Sequence, residues 1–491
     1  MSQEEQIEEV KAEVQAGWGE KRKLQEYKKE LDKTGCGFCL AKWTQVTIHL
    51  QMGETHSCHH PGTHKIPVSE LTRNPSALHN TKFKKERRKE MLEGKRPKEC
   101  DYCWNVEDNS KELSDRTYKS YEPWSRPYKK EIEMLDWRAD YNPKYVEVAF
   151  SNVCNFKCSY CGPSFSSAWV QESKKYGGYP TDDKFNDIAW LKEVGKLPFK
   201  HDEYNPYLEA FWKWWPDLYR DLHTFRITGG EPLLANDTWK VLDYIIAQDN
   251  PNKELKLGIN SNLGVPDALI DKFIEKVNII EERGLVKEII IYTSCDTAGD
   301  HADYIRNGLD YPQWTLNVDK ILTASKKLSI VCMSTFNALS IPRYQELIAF
   351  IYDMKKKHNN PDRYWCPSIF LDSSYLRHPS HQSVKILDSK IWAPVVRDHA
   401  KFAESLRTIK TWDGPDWENW YAGFTDIEID KINRIADWME SETDPNELER
   451  TRRNFYNFFN AHDKRRNTDF KKTFPEFASF YDECKEIAAR A

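Results

Sequence analysis

Residues 145–163 read Tyr145-Val-Glu-Val-Ala-Phe150-Ser-Asn-Val-Cys154-Asn-Phe-Lys-Cys158-Ser-Tyr160-Cys161-Gly-Pro163. The first six residues are a short apolar, β-rich run that predicts a strand, and a C-x3-C-x2-C loop follows it directly. Three thiolates on one tight loop suit three corners of a cubane iron–sulfur cluster and leave the fourth iron without a protein ligand. An iron left open can take a small molecule through nitrogen and oxygen, as catalytic metals keep an open position. A structural zinc site wants four ligands, and this loop offers three.

Further runs of the same kind occur at Thr224–Thr228, Leu255–Ile259, Glu288–Thr293, Ser329–Ser334 and Ser368–Leu371. Helical periodicity lies between most of them, as at Thr238–Ala247, Ala268–Val277 and Arg343–Met354. Strands alternating with helices predict an α/β fold with a parallel sheet of βαβ units. Six units predict a partial (β/α)6 TIM-like barrel instead of the closed eight-fold form, with active-site loops at the strand C-termini. The expected organisation is an N-terminal helix over 1–34, with Val10, Val14 and Trp18 as its apolar stripe, and a small Cys-rich domain over 35–110. A connector over 111–144 leads to the barrel over 145–375, which carries an insertion at about 162–222 with aromatics from Phe211 to Tyr219. A helical, Trp-rich C-terminal extension over 376–491 includes Trp392, Trp412, Trp417, Trp420 and Trp438.

Bulk properties narrow the function classes. The net charge of −5 over 491 residues gives no general pull toward nucleic acid or anionic membrane. The local basic stretch Lys82–Arg88 reads as a solvated helix face. No stretch approaches the ~18 apolar residues of a membrane span, and the polar, acidic start MSQEEQIEEVKAEVQ is not a signal peptide. The expected location is cytoplasmic, where 12 Cys at short spacings read as metal or cluster ligands and not as disulfides.

The Cys154/Cys158/Cys161 loop resembles the signature of the radical S-adenosylmethionine (AdoMet, SAM) superfamily, and later strand ends carry matching pieces. The resemblance covers about residues 145–375. It implies a [4Fe-4S] cluster on those cysteines, with Tyr160 packing on the AdoMet adenine. Thr228-Gly229-Gly230-Glu231-Pro232 is similar to the family element that contacts the AdoMet amino group; two glycines allow close backbone approach and Glu231 can accept from an ammonium. Asn260-Ser261-Asn262 is similar to a Thr-Asn-Gly segment, which implies a cofactor contact for Asn262, although Leu263 stands where the family has Gly. Ser294-Cys295-Asp296 resembles a Ser-x-Asp element, and Arg306 an arginine that holds the AdoMet carboxylate, for which two parallel donors suit. Cys295 and Asp296 are the candidates for proton or hydrogen transfer, beside the plainer reading of Cys295 as packing and Asp296 as a loop orienter.

Ahead of the barrel lie Cys36, Cys39, Cys58, Cys100 and Cys103. The run of C-x3-W, a strand at Val46–Leu50, a Gly53 turn before Cys58, a helix and C-x2-C resembles a twitch domain, a module holding one auxiliary iron–sulfur cluster. That resemblance implies Cys39, Cys58, Cys100 and Cys103 as ligands, with Cys36 an alternative to Cys39. The rival is structural zinc, favoured by paired C-x2-C motifs and by His56, His59, His60 and His64. The implied activity is an oxidoreductase. It cleaves AdoMet reductively to a 5′-deoxyadenosyl radical that abstracts hydrogen from a peptide or small-molecule substrate. The auxiliary cluster assists oxidation or substrate positioning, and a flavodoxin or ferredoxin is the electron donor. The competing class is a non-enzymatic zinc-binding adaptor or scaffold protein.

Overall fold

The computed structural model describes residues 17–200, 202–360, 363, 367–407 and 422–490. Val10, Val14, Trp412, Trp417, Trp420 and the Trp18 side chain, named above, lie outside the described residues. The strands are β1 Gln45–His49, β2 Glu54–His56, β3 His64–Lys65, β4 Tyr145–Ala149, β5 Lys157–Cys158, β6 Thr224–Thr228, β7 Lys256–Ser261, β8 Glu288–Ser294, β9 Arg306–Asn307, β10 Ser329–Phe336 and β11 Ile369–Tyr375. The chain divides into two units, Met1–Val148 with Tyr204–Arg226, and Ala149–Glu203 with Ile227–Ala491. The aromatic helix Pro206–Asp221, expected within the barrel segment, therefore belongs to the first unit. It buries Phe211, Trp214, Trp215, Leu218 and Tyr219 on one face, more apolar surface than a loop insertion could leave in water.

In the first unit β1 and β2 pair antiparallel with Thr47 opposite His56, and β2 pairs β3 with Glu54 opposite Lys65. Gly53 turns the β1–β2 hairpin at φ +65°, where a side chain would also collide with the Tyr207 ring. The strand order here is β6-β4-β1-β2-β3. Leu31, Phe38, Leu40, Trp43, Met91, Ile132 and Tyr141 form a core beside the N-terminal cysteines. Helix Lys82–Leu92 is N-capped by Thr81, whose hydroxyl accepts from Lys84 N. It is not a uniformly solvated face, because Lys84 and Arg88 are buried. Arg88 donates to Asn80 Oδ1 (2.8 Å) and Lys42 O (3.2 Å), which is how a buried guanidinium offsets its desolvation.

The second unit holds the parallel ladder β7-β8-β10-β11. Helices Asp267–Glu282, Tyr311–Ala324 and Tyr344–Lys357 make the crossovers that parallel strands need. Ile259, Ile291, Cys332 and Leu371 are fully buried strand positions, and the helices bury Phe273, Val277, Val318, Ile321, Leu347 and Ile351. The unit is thus α/β with its parallel sheet, as expected. Helix Asp426–Glu440 covers the exposed edge of β11: Glu428 accepts from Leu371 N (2.8 Å) and pairs with the fully buried Lys355 at 2.9 Å. Such cover removes an unpaired strand edge. Trp438 stacks on Tyr375 (centroids 5.1 Å apart), and Trp392 packs on Phe477. No helix among the described residues is long and apolar enough to cross a membrane.

Candidate metal centres and cofactor site

The loop after β4 is held open by its own hydrogen bonds. Cys154 N donates to Ser167 Oγ (3.1 Å), and Ser167 Oγ donates back to Cys154 O. Trp169 Nε1 donates to Cys158 O (3.0 Å), and Cys161 N to Cys158 O (3.0 Å). Burial pushes all three thiols up, Cys161 to about 12, and the Cys158 charge opposes ionisation of Cys154 and Cys161. A bound cation reverses that balance, because a coordinating thiol is deprotonated outright.

Gly229 and Gly230 dock against this loop. Gly230 N donates to Ser151 O (3.1 Å) and Glu231 N to Val153 O (2.6 Å). A Cβ on Gly230 would stand 2.3 Å from Val153 O, and one on Gly229, at φ +114°, would stand 2.8 Å from Ser151 O. The Gly-Gly pair is therefore required by backbone-to-backbone approach. Glu231 is buried and accepts from Leu233 N (2.9 Å), Ser261 Oγ (2.8 Å) and Asn262 N (2.6 Å). Burial pushes its carboxyl up to about 7 against those three donors. A carboxylate has about four acceptor positions, so one is open to a further donor. Asn262 Nδ2 lies 4.0 Å from Cys154 Sγ and donates to Asn155 Oδ1 (3.0 Å). Leu263, in the place of the resembling motif's Gly, sits at φ +51° and is fully buried.

Arg306 reaches the same loop through β9, which pairs antiparallel with β5 so that Cys158 faces Arg306. Its Nη1 donates to Cys158 Sγ (3.7 Å) and its Nη2 to Asp296 Oδ1 (2.9 Å). Tyr160 donates its hydroxyl to Asp296 Oδ2 (2.7 Å), and the guanidinium lies 5.5 Å from the Tyr160 ring centroid. Arg306 Nε is buried with no hydrogen-bond partner among the described residues. Asp296 is fully buried and spent on Arg306, Tyr160 and Thr335 N. Cys295 is fully buried and donates to Thr297 O (3.1 Å), a packing role. Ser294 closes β8 opposite Met333.

In the first unit Cys39, Cys58, Cys100 and Cys103 line one small cavity of about 20 Å³, partly open to solvent. Lys42, Arg116, Lys119, His60 and Asp115 share its wall. Burial pushes Cys58 and Cys103 up to about 12 and Cys100 to about 11, and the thiols repel one another's charge. Cys36 is exposed, donates to Gly94 O (3.4 Å) and is not in that wall. Of the four histidines around Cys58, only His60 joins the cavity, stacked on Tyr102 at 3.7 Å and 2.7 Å from Asp115 Oδ2. His56 is tied to Cys58 O and His64 to Thr81 Oγ1. Among the described residues, no three His, Cys, Asp or Glu side chains converge on a single ion.

Lys42, whose charge favours ionisation of Cys58 and Cys100, was not singled out by its spacing, nor was Arg116, which pairs with Glu107 (2.9 Å) and Asp32 (2.8 Å). Nor were Ser261, which donates to Glu231, and Glu172 and Arg466, which pair with each other beside Lys157, since nothing local marks them. No protein-family model matches the chain, and no curated protein matches it.

Proposed function

We propose that this protein is a radical AdoMet enzyme, with a [4Fe-4S] cluster on Cys154, Cys158 and Cys161 and an auxiliary iron–sulfur cluster on Cys39, Cys58, Cys100 and Cys103. In this reading the strand–helix units of 145–375 form a partial (β/α)6 barrel and residues 35–110 a twitch-like domain. The observation that carries it is Arg306: fixed by Asp296 beside the Cys158 thiol, it keeps one buried Nε donor without a partner. A buried guanidinium donor left unpaired costs free energy unless an acceptor arrives, and a carboxylate at the cluster supplies one. The donor set fits the group in other respects too. Glu231 keeps an acceptor position for an ammonium, the Gly229–Gly230 backbone abuts the cysteine loop, and the Tyr160 ring is immobilised for stacking.

When bound, the cluster and AdoMet supply one-electron cleavage to a 5′-deoxyadenosyl radical that takes hydrogen from a peptide or small-molecule substrate. The chain's part is geometry and charge. Arg306 and Glu231 grip the two charged ends of one amino acid, and an ammonium beside Glu231 favours its carboxylate form. Asp296 holds Arg306 and Tyr160 in register. Asn262 presents its amide beside Cys154. In the first unit, the Lys42 charge favours the thiolate forms of Cys58 and Cys100. Cys39, Cys58, Cys100 and Cys103 would hold the auxiliary cluster, which would supply electron acceptance or substrate positioning, and a cytoplasmic flavodoxin or ferredoxin would supply electrons.

Anaerobic reconstitution tests the reading. The loaded protein is expected to be brown and to convert AdoMet to 5′-deoxyadenosine under a strong reductant, and Cys158→Ala is expected to abolish this. Unchanged cleavage by that variant refutes the assignment. A colourless protein holding zinc and no iron would instead be the adaptor.

A further inference from the structure

The strands that carry Cys158 and Arg306 are two residues long each. A ribbon so short does not hold itself together. Its support comes from the far end of the chain, helix Pro445–Arg466 in the C-terminal extension. The Arg466 side chain is fully buried. Its Nη1 donates to Lys157 O (2.6 Å), and its Nε and Nη2 grip the two oxygens of Glu172 at 3.0 and 3.1 Å. The guanidinium also lies 4.8 Å from the Trp169 ring centroid, and Trp169 Nε1 holds Cys158 O. Glu172 is completed by Lys157 Nζ (2.9 Å) and the Tyr179 hydroxyl (2.6 Å). On the same helix Asp463 accepts from the Tyr304 hydroxyl (2.7 Å), two residues before Arg306. One helix end thus holds β5 directly and the residues that lead into β9.

We propose, building on the function above, that the C-terminal extension is a clamp on this ribbon and that Arg466 is a positioning residue for the Cys154/Cys158/Cys161 cluster. Two effects follow from its geometry. The planar fork pins the carbonyl of Lys157 and, through Trp169, that of Cys158, which fixes where the cysteine loop presents the open iron to AdoMet. Arg466, with its side chain fully buried, and the part-exposed Lys157 carry two positive charges against the one negative charge of Glu172, leaving a net positive charge behind the loop. A buried cation stabilises a cluster more in its reduced, more negative state, so it raises the reduction potential. Arg466→Met removes fork and charge together. Arg466→Lys keeps the charge and loses the planar fork.

The test uses the full-length chain, reconstituted anaerobically, with iron content, midpoint potential and the AdoMet-induced change of the reduced-cluster spectrum as readouts. Only the cluster that binds AdoMet shifts its spectrum, so the auxiliary site does not confuse the measurement. Arg466→Met is expected to lower the potential of the AdoMet-responsive cluster and to weaken AdoMet binding at least tenfold. Arg466→Lys is expected to restore the potential and not the affinity. If Arg466→Met does not fold, Arg466→Lys and Tyr304→Phe still decide, since each is expected to weaken AdoMet binding without loss of iron. Loaded variants with the parent's potential and AdoMet affinity would overturn the clamp. A parent protein that binds iron at Cys154, Cys158 and Cys161 without any AdoMet-induced spectral change would overturn the underlying function instead.

Discussion

Gly230→Ala should be among the most damaging methyl groups that can be added to this chain. Its Cβ would stand 2.3 Å from Val153 O, 2.7 Å from Asn152 C and 2.8 Å from Val153 C. All three are backbone atoms, so no side chain can rotate away and either the end of β6 or the cysteine loop must retreat. Retreat stretches Gly230 N to Ser151 O and Glu231 N to Val153 O, each contributing about 1 kcal/mol net. Overpacking adds about 1–3 kcal/mol, and the entropy that Ala removes from the unfolded chain returns up to about 1 kcal/mol. The balance is a destabilisation of about 3 kcal/mol, concentrated on the loop that carries Cys154. Gly62→Ala is the matched control, since a Cβ there meets nothing within 4 Å. Urea unfolding of the metal-free, reduced protein measures the loss, and amide hydrogen exchange over 150–165 locates it. A Gly230→Ala protein within about 1 kcal/mol of the parent, with unchanged exchange in that loop, would refute the reasoning.

At Leu263, φ +51° reverses the usual ranking of truncations: Leu263→Gly should be less destabilised than Leu263→Ala by about 1 kcal/mol, because Ala retains the left-handed strain. Thermal unfolding of the pair compares them, and the opposite order would refute the strain. Glu231 has a folded pKa of about 7, above its unfolded value. Its contribution is therefore fully present below about pH 4.5 and is lost as pH rises through 7, about 3 kcal/mol in the metal-free, AdoMet-free protein. Glu231→Gln should flatten stability against pH across that window, which urea titrations at several pH values read. Lys355→Met leaves Glu428 uncompensated at a fully buried site and should cost about 3–5 kcal/mol in urea unfolding; a loss below about 1 kcal/mol would contradict the buried pair. In a background lacking Cys154, Cys158 and Cys161, Cys36→Ser should keep the remaining iron and Cys39→Ser should lose it, as counted by iron and sulfide analysis, because only Cys39 lines the cavity.

The main strand–helix alternation was legible because each element writes its own local pattern: β-rich runs at Tyr145–Phe150 and Glu288–Thr293 became strands 145–149 and 288–294, and the periodic stretch Arg343–Met354 became helix 344–357. The cysteine spacing, the Gly229–Gly230 pair and the C-x2-C at Cys100–Cys103 were equally visible, since residues that share one loop or helical turn lie close in sequence. The basic run at Lys82–Arg88 misled, because side-chain charge alone does not say that Arg88 finds Asn80 and the Lys42 carbonyl inside.

Residue spacing by itself determined which segments are strands and helices and which thiols share a loop, since those are interactions between near neighbours in the chain. Only the tertiary structure decided that Cys39 and not Cys36 faces the cavity, that Asp296 is spent on Arg306, and that helix Pro206–Asp221 joins the N-terminal unit. The same holds for Arg466, 309 residues from the Lys157 carbonyl it pins. A contact between such distant positions has no periodicity or motif to announce it; it exists only once burial has brought two parts of the chain together and left each polar group to find the nearest partner.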